Sequence, residues 1–464
     1  MKKKLRLAFI VFLGFISTQT FSQSTAYTFT YGGITRTYHL YLPVNFNASV
    51  SLPLVLNLHG LGSNGTQQEL YTLFDNLADT ARCVVVYPDG ISNQWNMVIG
   101  CTGSNSPCTG VDDVGFLSAL IDTLHKNYNI DLGRVYSTGM SDGAYMSFRL
   151  ACELSCRIAA IAPIAGLLQE AYPLYPQCNP TRKMPVIQMH GTADSTVPYT
   201  NSPPYASVAS TVTRWKSMDA CPANPVVTNL PDINTGDGCT ITENYYGLCG
   251  DSTLLIQYTV NGGQHTWPGS NPLASLGVTN RDINANQVMW NFFKQYSLPA
   301  NLTFSGLANT YCSNASAVTL TGTPSGGTFS GTGLSGTQFS PATAGTGTHI
   351  ITYSITAHGC TYTHTQTVAV SICTDVQDPF LVEEFSVYPN PATDVLNVKY
   401  TLQQSAPVKL VLYDITGRDI LNTDPVNKSD GNIALNTTGV PAGIYFLKLE
   451  SGNNKVVRKV AIEK

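Results

Sequence analysis

Residues 136–147 read YSTGMSDGAYMS, and they place Ser141 two residues after Gly139 and two residues before Gly143. The β-branched and aromatic residues before the serine predict a strand, and the residues from Ala144 onward predict a helix. A strand that enters a helix within about two residues strains the serine backbone and tolerates almost no side chain on either flank, which accounts for both glycines. The stretch therefore predicts a tight strand–serine–helix turn, with the Ser141 hydroxyl exposed above a sheet at a helix N-terminus. A plain Gly/Ser turn is the alternative.

The residues around this turn predict an α/β fold with a mostly parallel sheet. Apolar runs alternate with helical stretches through the front of the chain, and such runs are typical of strands that are covered on both faces. The strand candidates are LPLVLNL, RCVVVYP, RVYSTG, IAAIAPIAG, MPVIQMHG and TLLIQYTV. The helical candidates are residues 112–127, 141–152 and 284–296.

Length and composition set outer limits on the organisation of the chain. The chain has 464 residues, of which 43% are hydrophobic and 12% are charged, with a formal net charge of −4. This length predicts two or three domains, and the apolar content excludes a disordered protein. The mildly acidic balance does not suggest a nucleic-acid partner or an anionic membrane surface.

The N-terminus has the pattern of a secretory signal. Basic residues in the first six positions precede the apolar stretch 7–16, and small residues at Thr20 and Ser22 suit cleavage after Ser22. The apolar stretch is too short to span a bilayer, so we expect an exported protein without a transmembrane anchor. A buried N-terminal helix is the alternative, which the basic flank disfavours.

The cysteines agree with an oxidising destination. The chain has 12 cysteines, and none of them shows paired CxxC spacing of the zinc type, so we expect disulfides and no metal site. Spacing does not fix the pairing, and we take three pairs as hypotheses: Cys101–Cys108, Cys221–Cys249 and Cys312–Cys360. Cys83 lies inside an apolar run and is expected to be a buried free thiol.

The rear of the chain divides into two β-rich regions. Residues 295–374 contain no Asp, Glu, Lys or Arg, and their Thr and Ser residues alternate with apolar ones, which predicts an all-β sandwich. Charged residues return from Asp375 onward, where strand-like runs separated by Pro, Gly and Asn turns predict a second small β-sandwich.

A nucleophilic serine needs a base and an orienting acid, which on this fold follow it in the order acid, then histidine. Asp194 comes just after the apolar run MPVIQMHG, and His265 follows TLLIQYTV on a Gly-rich loop. We therefore predict Ser141, Asp194 and His265 as a catalytic triad. Weaker alternatives are Asp219, Asp232 and Asp237 for the acid, and His39, His59, His125, His190, His349, His358 and His364 for the base.

An oxyanion needs two backbone donors. We expect one from the amide of Asp142, directly after the serine, and the other from the amide of Leu61, in the Gly-rich loop after LPLVLNL. We expect His59 to orient that loop. The candidates for the wall of a substrate pocket are His59, Trp95, Asn96 and Trp267, and packing beneath a loop is an equal alternative for Trp95 and Asn96.

Eight ordered motifs together resemble a known family: LVLNLHGLGSNG, VVVYPDG, QWN, VDDVGFLSALID, RVYSTGMSDGAYMSFRLACEL, IAAIAPIAG, HGTADSTVPY and GGQHTWPG. Residues 27–297 resemble the secreted polyhydroxybutyrate depolymerase and feruloyl esterase group of α/β hydrolases, which overlaps carbohydrate esterase family 1. The resemblance implies an α/β-hydrolase fold and an esterase that uses Ser141, Asp194 and His265 without a cofactor.

The last 80 or so residues resemble a second family. The segments YPNP, DITGR and GIYFLKL are similar to those of the C-terminal sorting domain of the type IX secretion system. This resemblance implies export across an outer membrane by the type IX machinery, with the protein extracellular or at the cell surface.

We therefore expect four regions: a signal peptide (1–22), an esterase domain (23–299), an uncharged Ig-like β module (300–374) and a linker with the sorting β-sandwich (375–464). The first functional hypothesis is a secreted serine esterase that acts on polymer-borne esters, either feruloyl or acetyl esters of plant polysaccharide or a polyhydroxybutyrate-type polyester. The alternative is a surface adhesin or binding protein with an inactive hydrolase domain.

Overall fold

A computed structural model of the chain describes residues 24–99, 110–169, 178–200, 206–271, 273–373, 382–451 and 454–464. The predicted signal peptide (1–22) and the predicted Cys101–Cys108 pair lie outside the described residues. The structure divides into two compact units, with the boundary between Ser371 and Ile372.

A ten-stranded sheet forms the framework of the first unit. Its strands are β1 (Thr25–Tyr31), β2 (Ile34–Tyr41), β3 (Leu52–Leu58), β4 (Val84–Pro88), β5 (Ile130–Met140), β6 (Ala160–Ile164), β7 (Val186–Gly191), β8 (Val226–Asn229), β9 (Thr240–Tyr246) and β10 (Leu255–Asn261). They lie in the order β1-β2-β4-β3-β5-β6-β7-β10-β9-β8. The six strands from β4 to β10 in that order are parallel, and the outer strands are antiparallel. This is an α/β-hydrolase sheet, as predicted.

Helices follow most of the parallel strands, and each of the predicted stretches 112–127, 141–152 and 284–296 corresponds to one of them. They are α1 (Gly65–Thr72), α2 (Phe74–Ala81), α3 (Asp113–Tyr128), α4 (Asp142–Glu153), α5 (Val208–Asp219) and α6 (Ala285–Phe293). Asp112 caps α3 by accepting a hydrogen bond from the Gly115 amide at 2.8 Å, as expected for a carboxylate at a helix start. No helix among the described residues combines the length and the apolar character that a membrane crossing requires.

Burial explains which strands the sequence could predict. Every residue of β3 and β4 is buried, and their sequences are apolar runs interrupted only by Asn57, whose side chain bonds Thr72 and Gln68. The edge strands β1 and β8 are largely exposed and lack such runs. Apolar continuity therefore predicts the central strands and not the edges.

A β-rich module completes the first unit. It contains β11 (Thr303–Ser305), β12 (Thr310–Cys312), β13 (Val318–Thr319), β14 (Thr321–Thr323), β15 (Thr328–Ser330), β16 (Leu334–Ser335), β17 (Gln338–Phe339), the short helix α7 (Pro341–Ala344), β18 (Gly347–Ala357) and β19 (Cys360–Ser371). Phe304 and Phe339 of this module belong to the same buried apolar cluster as Phe293 of α6. A disulfide between Cys156 and Cys360 also joins the module to the hydrolase.

The predicted Cys312–Cys360 pair is wrong. Cys360 starts β19, whereas Cys312 is paired with Ser371 at the other end of that strand. An extended strand of this length separates its ends by about 35 Å, and a disulfide needs Cα atoms within about 7 Å. Cys312 is disulfide-bonded, but to a different cysteine, since Cys360 bonds Cys156.

The other cysteines follow the sequence more closely. The predicted Cys221–Cys249 disulfide is present, and Cys83 is a buried free thiol as expected. Two features were not predicted, namely the Cys152–Cys178 disulfide and the second buried free cysteine, Cys239.

The second unit is a β-structure with its own apolar core. Its strands are β20 (Val382–Tyr388), β21 (Val395–Asp414), β22 (Asp419–Asn422), β23 (Val426–Asn436), β24 (Gly443–Ser451) and β25 (Asn454–Ile462). The long strand β21 pairs with β20, β22, β23 and β24 along its length. Leu410, Leu447 and Leu449 are fully buried in the core between the strands.

Candidate active site

Four strand ends converge on one edge of the large sheet. Ser141 follows β5, the loop with Leu61 follows β3, Asp194 follows β7 and His265 follows β10. These strands are parallel, so their carboxyl ends lie on the same side of the sheet, where open α/β sheets bind ligands. The fold therefore brings together four segments that are far apart in the sequence.

The backbone at Ser141 is strained. Its φ of 56° and ψ of −120° are unusual for a residue with a side chain. The flanking glycines are sterically required: a Cβ on Gly139 would lie 2.6 Å from the Gly143 oxygen, and one on Gly143 would lie 2.1 Å from the Leu58 oxygen. Gly166, which the sequence analysis did not single out, is equally restricted, because its Cβ would lie 2.8 Å from the Ser141 oxygen.

Gly143→Ala should destabilise the protein and remove most of its activity. We call the strand–serine–helix turn at residues 139–143 the elbow. The added methyl group can be accommodated only if the elbow or the end of β3 shifts, and overpacking of this kind costs about 1–3 kcal/mol. Thermal unfolding and ester hydrolysis measure the two effects. Gly236→Ala is the matched control, because a Cβ there would meet nothing closer than 3.6 Å; a Gly143→Ala enzyme that matched this control would contradict the steric account.

Asp194 and His265 form a buried pair. The Nδ1 atom of His265 lies 2.7 Å from Oδ2 of Asp194. The other oxygen of Asp194, Oδ1, accepts hydrogen bonds from the amides of Thr196 and Val197 at 2.9 and 2.8 Å. These contacts hold the imidazole ring through Nδ1, so Nε2 takes no part in the bond to Asp194.

The alternative acids and bases lie elsewhere. Asp219 is fully buried and accepts a hydrogen bond from the Met184 amide, and Asp237 accepts one from the Cys239 amide. His190 lies behind Asp194, where its Nε2 bonds the Val197 carbonyl oxygen at 2.8 Å and burial lowers its pKa. None of these residues lines the pocket that contains Ser141.

A pocket of about 710 Å³ opens over Ser141 and His265. Its apolar lining includes Leu70, Tyr71, Met97, Tyr145, Leu273 and Leu276. Its polar lining includes Ser63, Gln67, Gln68, Thr196, Asn271 and Ser275. The lining contains no lysine or arginine, so this part of the described structure suits an uncharged, partly apolar group.

Three of the predicted pocket residues lie beneath the pocket instead of lining it. His59, Trp95 and Asn96 are at most 2% exposed. The Trp95 indole N–H donates to the His59 carbonyl oxygen at 3.0 Å, and the Asn96 side-chain amide donates to the Val111 carbonyl oxygen at 2.8 Å. The Trp95 indole and the Asn96 side-chain amide therefore bond backbone carbonyl oxygens, and they support the loops that form the wall of the pocket. The His59 ring contacts the Gly60 carbonyl oxygen through Nδ1 at 2.8 Å, and the expectation that His59 orients its loop stays a prediction.

Trp267, the fourth predicted pocket residue, is also buried, at 1% exposure. Its indole N–H donates to the side-chain oxygen of Asn286 at 2.9 Å, and its backbone N–H donates to the Tyr71 hydroxyl at 3.0 Å. Tyr71 itself lines the pocket. Trp267 thus fastens the loop that carries His265 to helices α1 and α6.

The carboxyl group of Asp142, for which the sequence predicts no role, is buried and hydrogen-bonded. That group accepts a hydrogen bond from the Trp95 backbone N–H at 2.7 Å, and the residue is 6% exposed. Burial raises the pKa of Asp142 to about 7, although the Trp95 N–H opposes the shift and Asp113 adds to it. The folded protein holds this proton more tightly than the unfolded chain does, so ionising Asp142 costs stability as the pH rises towards 7.

Two family models match the chain. Residues 36–174 match the family described as esterase PHB depolymerase. Residues 386–463 match the secretion system C-terminal sorting domain. With the disulfides of the first unit, this sorting domain indicates a secreted or cell-surface protein.

Similar proteins include two esterases with a curated description. The chain is 28% identical over 287 residues to a bifunctional acetylxylan esterase/xylanase of Neocallimastix patriciarum. This alignment covers 61% of this chain and 37% of that protein. It is 27% identical over 271 residues to feruloyl esterase B of Piromyces equi, and this alignment covers 55% of this chain and 44% of that protein. The chain thus spans less than half the length of these two relatives. A solved acetyl xylan esterase from Aspergillus awamori aligns over 58% of this chain and 99% of its own, with 16% identity and a TM-score of 0.41.

Proposed function

We propose that this protein is a secreted serine esterase that hydrolyses carboxylic esters through an acyl-enzyme at Ser141. The observation that carries the proposal is the 2.7 Å contact between His265 and Asp194 at a pocket that is lined by both His265 and Ser141, whose φ is 56°. A strained serine with an oriented histidine is the arrangement that nucleophilic catalysis requires.

In the proposed mechanism, Ser141 Oγ attacks the ester carbonyl carbon while His265 Nε2 takes its proton. The amides of Leu61 and Asp142 donate hydrogen bonds to the oxyanion that forms. His265 then gives the proton to the departing alcohol, which leaves an acyl-enzyme. Water, activated by the same histidine, releases the acid and restores Ser141. Asp194 keeps the ring oriented and stabilises the imidazolium form.

For the substrate, we propose feruloyl or similar aromatic acyl esters of plant polysaccharide. A volume of about 710 Å³ far exceeds the size of an acetyl group, and walls formed by Tyr71, Met97 and Tyr145 suit an aromatic ring. The similarity to a feruloyl esterase and an acetylxylan esterase supports esters of this class. Through residues 386–463, we propose that the type IX secretion machinery exports the protein.

A panel of esters tests the substrate. We expect kcat/KM for methyl ferulate to exceed that for methyl acetate by at least about tenfold, because the aromatic acyl group buries much more apolar surface. Acetylated xylan and polyhydroxybutyrate film complete the panel. Faster release of acetate from xylan, or of soluble acid from the film, would replace the feruloyl assignment. Absence of hydrolysis on every ester would favour the binding-protein alternative.

A further inference from the structure

A chain of hydrogen bonds joins the two segments that carry the proposed oxyanion donors. Asp142 Oδ2 accepts from the backbone N–H of Trp95 at 2.7 Å, and the indole N–H of Trp95 donates to the His59 carbonyl oxygen at 3.0 Å. His59 precedes Leu61 by two residues. This series of hydrogen bonds begins at the elbow that presents the Asp142 amide and ends at the loop that presents the Leu61 amide.

Further contacts hold the loop after β4 against the loop after β3. The Gly62 amide donates to the Asn93 carbonyl oxygen at 2.8 Å, and the Gly90 amide donates to His59 Nε2 at 2.9 Å. The rings of His59 and Trp95 lie with their centroids 5.0 Å apart. The loop after β4 is therefore firmly attached to the β3 loop, and Asp142 attaches it to the elbow.

We infer that the Asp142 carboxyl group is a positioning residue, which fixes the spacing between the two oxyanion donors by holding Trp95. This inference rests on the proposed ester hydrolysis. An oxyanion hole is effective only when both donors lie about 3 Å from the developing charge, and a misplacement of about 1 Å can cost up to about 10²-fold in rate.

The burial of the carboxyl group supports this role. The amide of any residue at position 142 would face the oxyanion, so the proposed mechanism itself does not need a carboxyl group there. Burying an ionisable group is unfavourable unless hydrogen bonds compensate, and here the pKa is raised to about 7. The compensating hydrogen bond comes from the Trp95 backbone N–H. The same bond is the first in the series of hydrogen bonds that leads from Asp142 towards Leu61.

Asp142→Ala removes the acceptor for the Trp95 amide but keeps the backbone amide at position 142. We expect kcat on a soluble ester to fall about 30-fold with KM changed less than about threefold, because the loss falls on the transition state. Affinity for a phenylboronic acid, whose tetrahedral adduct with Ser141 places an oxygen in the oxyanion hole, should fall in parallel. Asp142→Asn retains a side-chain oxygen for the Trp95 amide and should recover kcat to within about threefold of wild type.

A double-mutant cycle separates this role from general destabilisation. Trp95→Phe keeps the backbone N–H and removes the indole donor to His59, so we expect kcat to fall about tenfold. If both groups act in one chain of bonds, the double variant Asp142→Ala/Trp95→Phe should lose about 30-fold, not the roughly 300-fold expected of independent sites.

Asp112→Ala is the control for lost stability. It removes a helix cap and a bond to the Tyr31 hydroxyl away from the pocket, so it should lower the melting temperature and leave kcat unchanged. Additive losses in the cycle, an effect on KM alone, or no recovery in Asp142→Asn would overturn the inference. Each of these outcomes leaves hydrolysis by the wild-type enzyme intact, so failure of the inference is distinct from failure of the proposed function.

Discussion

Ser141→Ala is expected to lower kcat on a soluble p-nitrophenyl ester by about 10⁵-fold or more. The alanine side chain cannot attack the carbonyl carbon, and what remains is the contribution of the oxyanion donors and of substrate binding. The change removes one oxygen atom at an elbow that already has the strained φ, so the variant should fold. Its melting temperature should lie within a few degrees of that of the wild-type protein.

The matched control is Ser217→Ala. Ser217 is an exposed serine on α5, remote in sequence from the strand ends that form the pocket. This variant should keep wild-type turnover. Substantial hydrolysis by Ser141→Ala, measured above the uncatalysed rate and with a fresh preparation, would mean that another group performs the chemistry.

His265→Ala should cost nearly as much as the loss of Ser141, because the nucleophile is inactive without its base. Asp194→Asn should cost somewhat less, about 10⁴-fold, because the asparagine can stabilise the wrong tautomer of the ring while the oxyanion donors remain. The double variant Ser141→Ala/His265→Ala should be no slower than either single variant. Steady-state kinetics on one soluble ester measures all of these effects.

Asp219→Asn is the control for the acid. Asp219 is as buried as Asp194, and its Oδ1 accepts a backbone hydrogen bond from Met184, which an asparagine oxygen can also accept. We expect the variant to retain activity. Wild-type turnover in Asp194→Asn together with a large loss in Asp219→Asn would assign the acid to the other carboxylate.

The sequence predicts the central fold because its signals are local. The buried strands β3 and β4 are apolar runs interrupted only by Asn57, and β3 coincides with the predicted LPLVLNL segment. The elbow is recognisable from its own glycines, although the carbonyl oxygen that excludes a side chain at Gly143 belongs to Leu58 of β3. The chain order of serine, acid and histidine then follows from which strand ends are adjacent in a parallel sheet.

Contacts between distant segments were not predictable in the same way. The Cys156–Cys360 disulfide joins residues 204 positions apart, and neither cysteine has a spacing that indicates the other. The Trp95–Asp142 bond likewise joins two loops whose proximity appears only when β3, β4 and β5 are assembled side by side. A tryptophan near a pocket looks the same in sequence whether it lines the wall or supports it from behind.

The β module illustrates the same limit. Its lack of charge and its alternating residues predict strands, but they carry no information about attachment. In the structure, Leu302 and Phe304 share a buried cluster with Phe293 of the hydrolase, and the side chain of Asn301 donates a hydrogen bond to Asp131. Experiments on catalysis are therefore best made with the module in place.

Labelling with a fluorophosphonate followed by peptide mass spectrometry shows directly whether Ser141 is the nucleophile. We expect one adduct per chain, located on Ser141, with loss of hydrolysis in proportion to labelling and no adduct in Ser141→Ala. An adduct on a different residue, or full hydrolysis by a protein that is completely labelled at Ser141, would contradict this role of Ser141.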